Sequence, residues 1–318
     1  MVAPTTEGLR ALGYSVAHGI PSVWRPADGP FDVDLLVTTG MRKPHAEARK
    51  LFEARGIPWL SFDMPHVRGV AGDVRLYAEG HHWLPNVEGL PSRRGRLPVT
   101  VTSRAVHEAE AVPKPKGRKP TTAKGKAAAR AKVQAAKVEA QAVADAENEA
   151  ENEAGYVLVI GQMPHDSSHG MDVPGLVEWS QGVFASAREA LPGVEVVWRR
   201  HPISASVVPK GHDRNSDPNK ESIAQALAGA RLVCVYSSTV GLEALIAGKP
   251  VVSWGPSCYQ ELTSWPKELA TAGPASKAEV EALLERIAYT QWGLDELASG
   301  EAFRFILGQM GVACDSVA

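Results

Sequence analysis

Cysteine is scarce. The 318 residues hold three, Cys234, Cys258 and Cys314, scattered along the chain and odd in number. That excludes a disulfide framework and offers no zinc-ligand spacing. Cys234 stands inside an apolar run and reads as a small buried thiol. Long apolar runs are missing as well: none approaches the roughly 20 residues that span a bilayer. The start, Met1 to Tyr14, lacks a basic segment followed by an apolar core. A strong charge of either sign is also absent, since the net charge is −2. No global attraction to nucleic acid or membrane follows, so any such affinity must be local. These absences predict a soluble protein of a reducing compartment, in the cytoplasm.

What is present divides the chain into three parts. Residues 1–110 read as a small α/β half. Tyr14–Ala17 is a short strand candidate and Val33–Thr38 a stronger one; Pro44–Arg55 is an amphipathic helix stopped by Gly56, and Ile57–Phe62 is the next strand. Val67–Pro98 is rich in Gly, Pro and Arg and gives no assignment. Residues 111–154 differ in character. Pro113–Lys137 is Lys/Arg, Ala and Pro without an acidic residue, and Glu139–Glu153 is acidic without a basic one. Too few large apolar side chains are available to bury a core, so this is a charged, partly helical linker. Its basic stretch, Lys114–Lys137, can alternatively hold a polyanion such as duplex DNA.

Residues 155–318 read as a second α/β domain. Tyr156–Ile160, Val194–Trp198, Leu232–Tyr236 and Val251–Trp254 are apolar strands. Between and after them, helices are expected at Val177–Leu191, at Glu221–Ala230, between Ser237-Ser238-Thr239 and the Gly248-Lys249-Pro250 break, at Lys277–Tyr289 and at Leu294–Met310. A parallel sheet explains this order, and its carboxyl edge is where ligands bind. Polar residues follow three of the strands: Gly161-Gln162 with Asp166, then Arg200-His201-Pro202, then Ser237-Ser238-Thr239 with Glu243. Each set alone is unremarkable, since an Arg pair is commonly a surface partner and a capped helix belongs to any α/β domain. Gathered at one edge, a cation, an imidazole and a helix start make a phosphate site. Ionised Glu243 only accepts hydrogen bonds, which suits a sugar hydroxyl. In the first half, Gly40, Asp63 and His66 fall at strand ends.

The series Gly-Gln, Arg-His-Pro and Ser-Ser-Thr-Val-Gly-Leu-Glu-Ala-Leu-Ile-Ala-Gly-Lys-Pro-Val-Val resembles the capsule-synthesis type glycosyltransferases. It is also similar to the bacteriophage glycosyltransferases that decorate modified DNA bases. The resemblance covers Tyr156–Tyr259, with a fainter echo in Gly40 and Gly56–Arg68. It implies the GT-B fold, two Rossmann-like domains facing a cleft. It also implies that Gly161, Gln162, Asp166, Arg200, His201, Ser237, Ser238, Thr239 and Glu243 bind a nucleotide-sugar. Arg200 stands where the family commonly has a proline, so either Arg199 or Arg200 faces the pocket. His18, Gly40 and Arg68 fall on the acceptor side. An inverting reaction needs a base there, first Asp63, then His66, with His18 third; a retaining one does not. No cofactor or metal is expected, and a UDP-sugar is the favoured co-substrate. Hydroxymethylpyrimidine in phage DNA is the preferred acceptor, in the host cytoplasm. A capsule glycan transferase, a sugar-nucleotide epimerase and a non-catalytic nucleic-acid-binding protein are the alternatives.

Overall fold

A computed structural model describes residues 2–16, 33–39, 43–63, 66, 74–78, 83–97, 155–166, 168–204 and 206–312. His18, Gly40, Arg68, Cys314 and the whole linker, with Lys114–Lys137, lie outside the described residues.

The chain opens with α1 (Val2–Ala11). Its end is closed by Tyr14 N–H donating to the Leu9 carbonyl at 3.1 Å, with Gly13 at φ 87°. That turn uses Tyr14–Val16, so the strand expected there does not form. β1 (Leu36–Thr39), α2 (Lys43–Glu53) and β2 (Trp59–Asp63) then build the expected βαβ unit, with β1 and β2 parallel. β3 (Val74–Tyr77), in the stretch that gave no assignment, adds antiparallel to β2.

The second sheet contains β4 (Tyr156–Ile160), β5 (Val196–Arg199), β6 (Arg214–Ser216), β7 (Ala230–Val235) and β8 (Val251–Ser253). Its order is β6-β5-β4-β7-β8, and every pair is parallel. Helices cover both faces, which is why the strands are apolar on both. α3 (Val173–Ala190) packs on the face carrying Val157, Val159 and Cys234. α4 (Ile223–Ala228), α5 (Val240–Ile246) and α6 (Lys277–Ala288) pack on the face carrying Leu158, Ile160 and Val233. The sequence marks the helix starts: Asp172 accepts from Gly175 N–H, and Ser222 with Gln225 and Ser276 with Glu279 form reciprocal caps.

The end of the chain crosses back. β9 (Gln291–Trp292) pairs antiparallel with β3, giving the first sheet the order β1-β2-β3-β9. α7 (Leu294–Ala298) and α8 (Glu301–Gln309) then pack with α1 over Leu60, Phe62 and Leu76. The single helix expected over Leu294–Met310 is broken at Gly300, whose φ of 81° ends α7. The sequence reading kept this tail with the second sheet, because Trp292, Phe303 and Ile306 show that they are buried partners but not whose.

A strap, residues 83–97, runs from the first sheet across α6. Arg93 lies 3.9 Å above the Trp292 ring and pairs with Glu296 at 2.8 Å and Glu301 at 3.2 Å. Arg94 pairs with Glu281 at 2.7 Å, and Tyr289 Oη donates to the Pro91 carbonyl. Among the described residues no helix is long and apolar enough to cross a membrane.

Candidate functional site

Strand order brings the three polar sets together. In the second sheet the chain moves from β4 to β5 and β6 on one side, then to β7 and β8 on the other. The crevice between the carboxyl ends of β4 and β7 is therefore a topological switch point. Gly161-Gln162 leave β4 there, Ser237-Ser238-Thr239 leave β7, and Arg200-His201 leave β5 on the far side of β4. Two strand spacings, about 10 Å, separate the β5 and β7 exits. His201 and Ser238 flank Gln162 on one edge.

Gln162 is the most telling of these residues. It is 7% exposed, and its side-chain Nε2 is buried without a hydrogen-bond partner. A buried donor left unmade costs about 1–3 kcal/mol, so the position is kept for something other than stability. Gly161 before it lies close under Trp198: an added Cβ would sit 2.9 Å from that ring. The following loop turns back at His165, a non-glycine residue at φ 59°. Asp166 closes the loop by accepting from Ser168 N–H at 2.9 Å, so its carboxylate serves its own turn. Ser168 Oγ then meets Ser237 Oγ at 3.0 Å, tying the β4 exit to the β7 exit.

The arginines are both engaged. Arg199, 6% exposed, donates to Ser216 Oγ at 2.6 Å and to the Glu221 carbonyl at 2.8 Å. Burial lowers its pKa, with Glu221, Tyr156, Asp217 and Glu243 opposing that shift. It fixes β5 to β6. Arg200 is the outward one, reaching Asp217 Oδ1 at 3.4 Å and its own turn at the Pro202 carbonyl. His201 Nδ1 accepts from Ile203 N–H at 3.4 Å. Glu243 acts on Arg199 through space, so the first turn of α5 is within electrostatic reach of β5.

One hydroxyl of the serine turn caps α5, as the sequence leads one to expect. Ser238 Oγ accepts from Val240 N–H at 3.3 Å, while Thr239 is helical and makes no side-chain cap. Tyr259, fully buried, donates to the Ser238 carbonyl and lies against Gly241, where an added Cβ would be 2.5 Å from its hydroxyl. Only glycine allows that approach. Tyr259 thereby anchors the loop after β8 beneath the serine turn.

That loop carries Cys258 to the first sheet. Cys258 Sγ is 3.5 Å from His66 Nδ1. Arg75 Nη1 is 2.9 Å from His66 Nε2, and Arg75 Nη2 is 3.0 Å from Asp63 Oδ2. Asp63 and Arg75 are directly opposite across β2 and β3. The same Nη1 is 3.2 Å from His66 Nδ1, and since a guanidinium only donates, whichever ring nitrogen is unprotonated accepts from it. Burial pushes the Cys258 thiol up to about 12. The Asp63 side chain is 30% exposed, whereas His66 is 6% exposed with its lone pair on Arg75.

Asp63 and His66 are thus brought to the second sheet, while His18, Gly40 and Arg68 lie outside the described residues. Sequence reading missed Arg75, Ser168, Tyr259 and the Cys258 contact. Alternation in Val74–Tyr77 was the available signal for Arg75; the others depend on distant partners. One Asp-x-Asp pair, Asp32 and Asp34, does stand in the chain. Asp32 is outside the described residues, and Asp34 precedes β1, at the amino end of its strand. Among the described residues no group of three or more metal-ligating side chains gathers.

Residues 105–264, half of the chain, match the profile of a family described as capsule polysaccharide biosynthesis protein. Protein FixF of Sinorhizobium fredii (strain NBRC 101917 / NGR234) is 32% identical over 110 residues, 33% of this chain and 27% of FixF. That match spans well under two thirds of FixF. Among solved structures, the Thermosulfurimonas dismutans KpsC β-Kdo 2,7-transferase shows 16% identity and a TM-score of 0.42, over 79% of this chain and 75% of that one. The β-Kdo 2,4-transferase of the same organism's KpsC gives 16% and 0.42, over 81% of each chain.

Proposed function

The chain belongs to the capsule polysaccharide biosynthesis protein family, and from that premise we propose that it transfers a glycosyl residue from a nucleotide-sugar to a glycan hydroxyl. The observation that carries this reading is the edge itself: the buried, partnerless Gln162 amide lies between the β5 and β7 exits, and the Cys258 loop joins that edge to Asp63 and Arg75.

In this reading Gln162, Ser237, Ser238 and Thr239 hold the donor phosphate, with His201 and Arg200 beside them and Glu243 on a sugar or ribose hydroxyl. The bond from the anomeric carbon to the phosphate oxygen breaks, and its electron pair stays on the phosphate. The bond from the acceptor oxygen forms, and the acceptor proton leaves to a base or to the departing phosphate. Donors fixed before the reaction stabilise the developing charge. Of the candidate bases among the described residues, Asp63 is the better placed, because the His66 lone pair is already occupied. The site works without a metal of its own. The reading of DNA as acceptor draws on Lys114–Lys137 and the first-half residues outside the described set. The family description favours a surface glycan.

The test is a panel of UDP-, GDP- and CMP-sugars with glycan and hydroxymethylated DNA acceptors, run with Gln162→Ala and Asp63→Asn. Gln162→Ala should lose donor binding, and Asp63→Asn should keep it while losing transfer. Absence of binding to every donor overturns the reading.

A further inference from the structure

We propose that the ring N–H groups of His169 and Trp179, set around Tyr236, recognise the carbonyl edge of the donor's nucleobase; this rests on the nucleotide-sugar reading above. His169 stands in the loop leaving β4, Tyr236 is the first residue past β7, and Trp179 is on α3. Both rings meet Tyr236 edge-on: His169 at 5.6 Å and 70°, Trp179 at 5.8 Å and 83°. Trp254, just past β8, closes the group against Trp179 at 6.1 Å. Trp179 and Trp254 pack against the core on the α3 side of the sheet, and Tyr236 follows directly on β7. The hydroxyl contact between Ser168 and Ser237 at 3.0 Å fixes the His169 loop to the phosphate-side turn.

The donor character of both rings is set by the structure. His169 Nδ1 accepts from Met171 N–H at 3.0 Å, so the neutral ring carries its proton on Nε2. Burial lowers the His169 pKa, and Asp166 only partly opposes it. Indole nitrogen donates and never accepts. His169 Nε2 and Trp179 Nε1 are both buried without a hydrogen-bond partner. Native folds rarely leave two such donors unmade in one ring cluster.

The chemistry of the cluster selects its ligand. The donors here are uncharged ring N–H groups set among aromatic rings. A flat ring bearing uncharged acceptors fits, and the nucleobase is the part of a nucleotide-sugar with that character. Tyr236 is held in place from behind: a Cβ on Gly255 would come within 2.3 Å of its ring.

Isothermal titration of the full chain with UDP, CDP, GDP and inorganic pyrophosphate tests this. His169→Phe keeps the ring packing and removes the donor; Trp179→Phe does the same on the other side. Each should weaken the preferred nucleoside diphosphate about tenfold, the worth of one buried hydrogen bond, and leave pyrophosphate unchanged. His169→Gln, which restores a donor at similar reach, should recover part of the loss. Unchanged nucleotide affinity in both Phe variants overturns the proposal, and so does an equal loss for pyrophosphate. Wild-type protein that binds no nucleoside diphosphate overturns the donor reading itself, and this one with it.

Discussion

Cys258 Sγ and His66 Nδ1 are 3.5 Å apart, and that contact joins the loop after β8 to the segment after β2. Cys258 sits next to Tyr259, which holds the serine turn; His66 is bonded to Arg75, which holds Asp63. A continuous chain of side chains thus runs from the serine turn to Asp63, the two ends that the proposed reading gives to donor and acceptor. Its members are buried apart from the two ends, which suits a rigid scaffold between two reactants.

Replacing Gln162 with Leu should separate stability from function. The buried amide has no protein partner, so the apolar variant should melt no lower than the parent. Nucleotide-sugar affinity should fall about tenfold or more. Thermal melts and titration calorimetry on the same preparations check both halves; a lower melting point with unchanged affinity would assign Gln162 to the core instead.

Arg75→Met should silence transfer while sparing donor binding. The change removes the ion pair to Asp63 at 3.0 Å and the hydrogen bond to His66. Misplacing an acceptor-side group by about 1 Å costs on the order of a hundredfold in rate. Steady-state transfer compared with direct donor titration reads the split, and Arg75→Lys should rescue little, since it offers no fork.

Gly241→Ala should destabilise the second sheet by about 1–3 kcal/mol, the usual consequence of overpacking. Its new methyl would meet the Tyr259 hydroxyl at 2.5 Å. Urea unfolding measures the loss. Adding Tyr259→Phe removes only the oxygen and leaves ring carbons at 2.6 and 2.7 Å, so it should recover little, whereas Tyr259→Leu should recover more.

Stability should decline as the medium is acidified, and His169 should account for part of the decline. Its pKa is lowered from the ordinary 6.5 by burial. Below 6.5 the unfolded chain takes up a proton that the folded chain refuses, so stability falls with falling pH until the folded pKa is passed. Above that window the group contributes nothing. Denaturation midpoints for His169→Phe should vary less than those of the parent between about pH 6.5 and 5.

Arg93→Ala should loosen the strap and the chain end together. The guanidinium lies on Trp292 and pairs with Glu296 and Glu301. Losing a cation–π contact and a partly buried pair is worth about 2–4 kcal/mol. Hydrogen exchange should quicken in β9, α7 and α8 rather than in β4 or β7.

Much of the second sheet could be read from sequence, because a strand buried on both faces must be apolar throughout and its turns must be polar. α3 begins at Val173, a turn ahead of the expected Val177, whereas Tyr156–Ile160, Leu232–Val235 and the helix starts near Ser222 and Ser276 announce themselves locally. So do the polar residues at strand exits, since backbone direction alone sends them to the carboxyl edge. β6 did not, as Arg214–Ser216 is a polar edge strand. β3 was equally hidden, being four residues long in a stretch dominated by Gly, Pro and Arg.

Residue types and their order along the chain determined which groups this protein can offer: amide, imidazole, hydroxyl and carboxylate at the ends of particular strands. Tertiary structure alone decided their partners. It committed Arg199 to Ser216 and Glu221, matched Asp63 with Arg75, and returned β9 to the first sheet. The physical reason is range. Strand and helix signals are set within a few residues, whereas hydrogen bonds and ion pairs between residues 12 to 200 apart depend on how the packed cores meet.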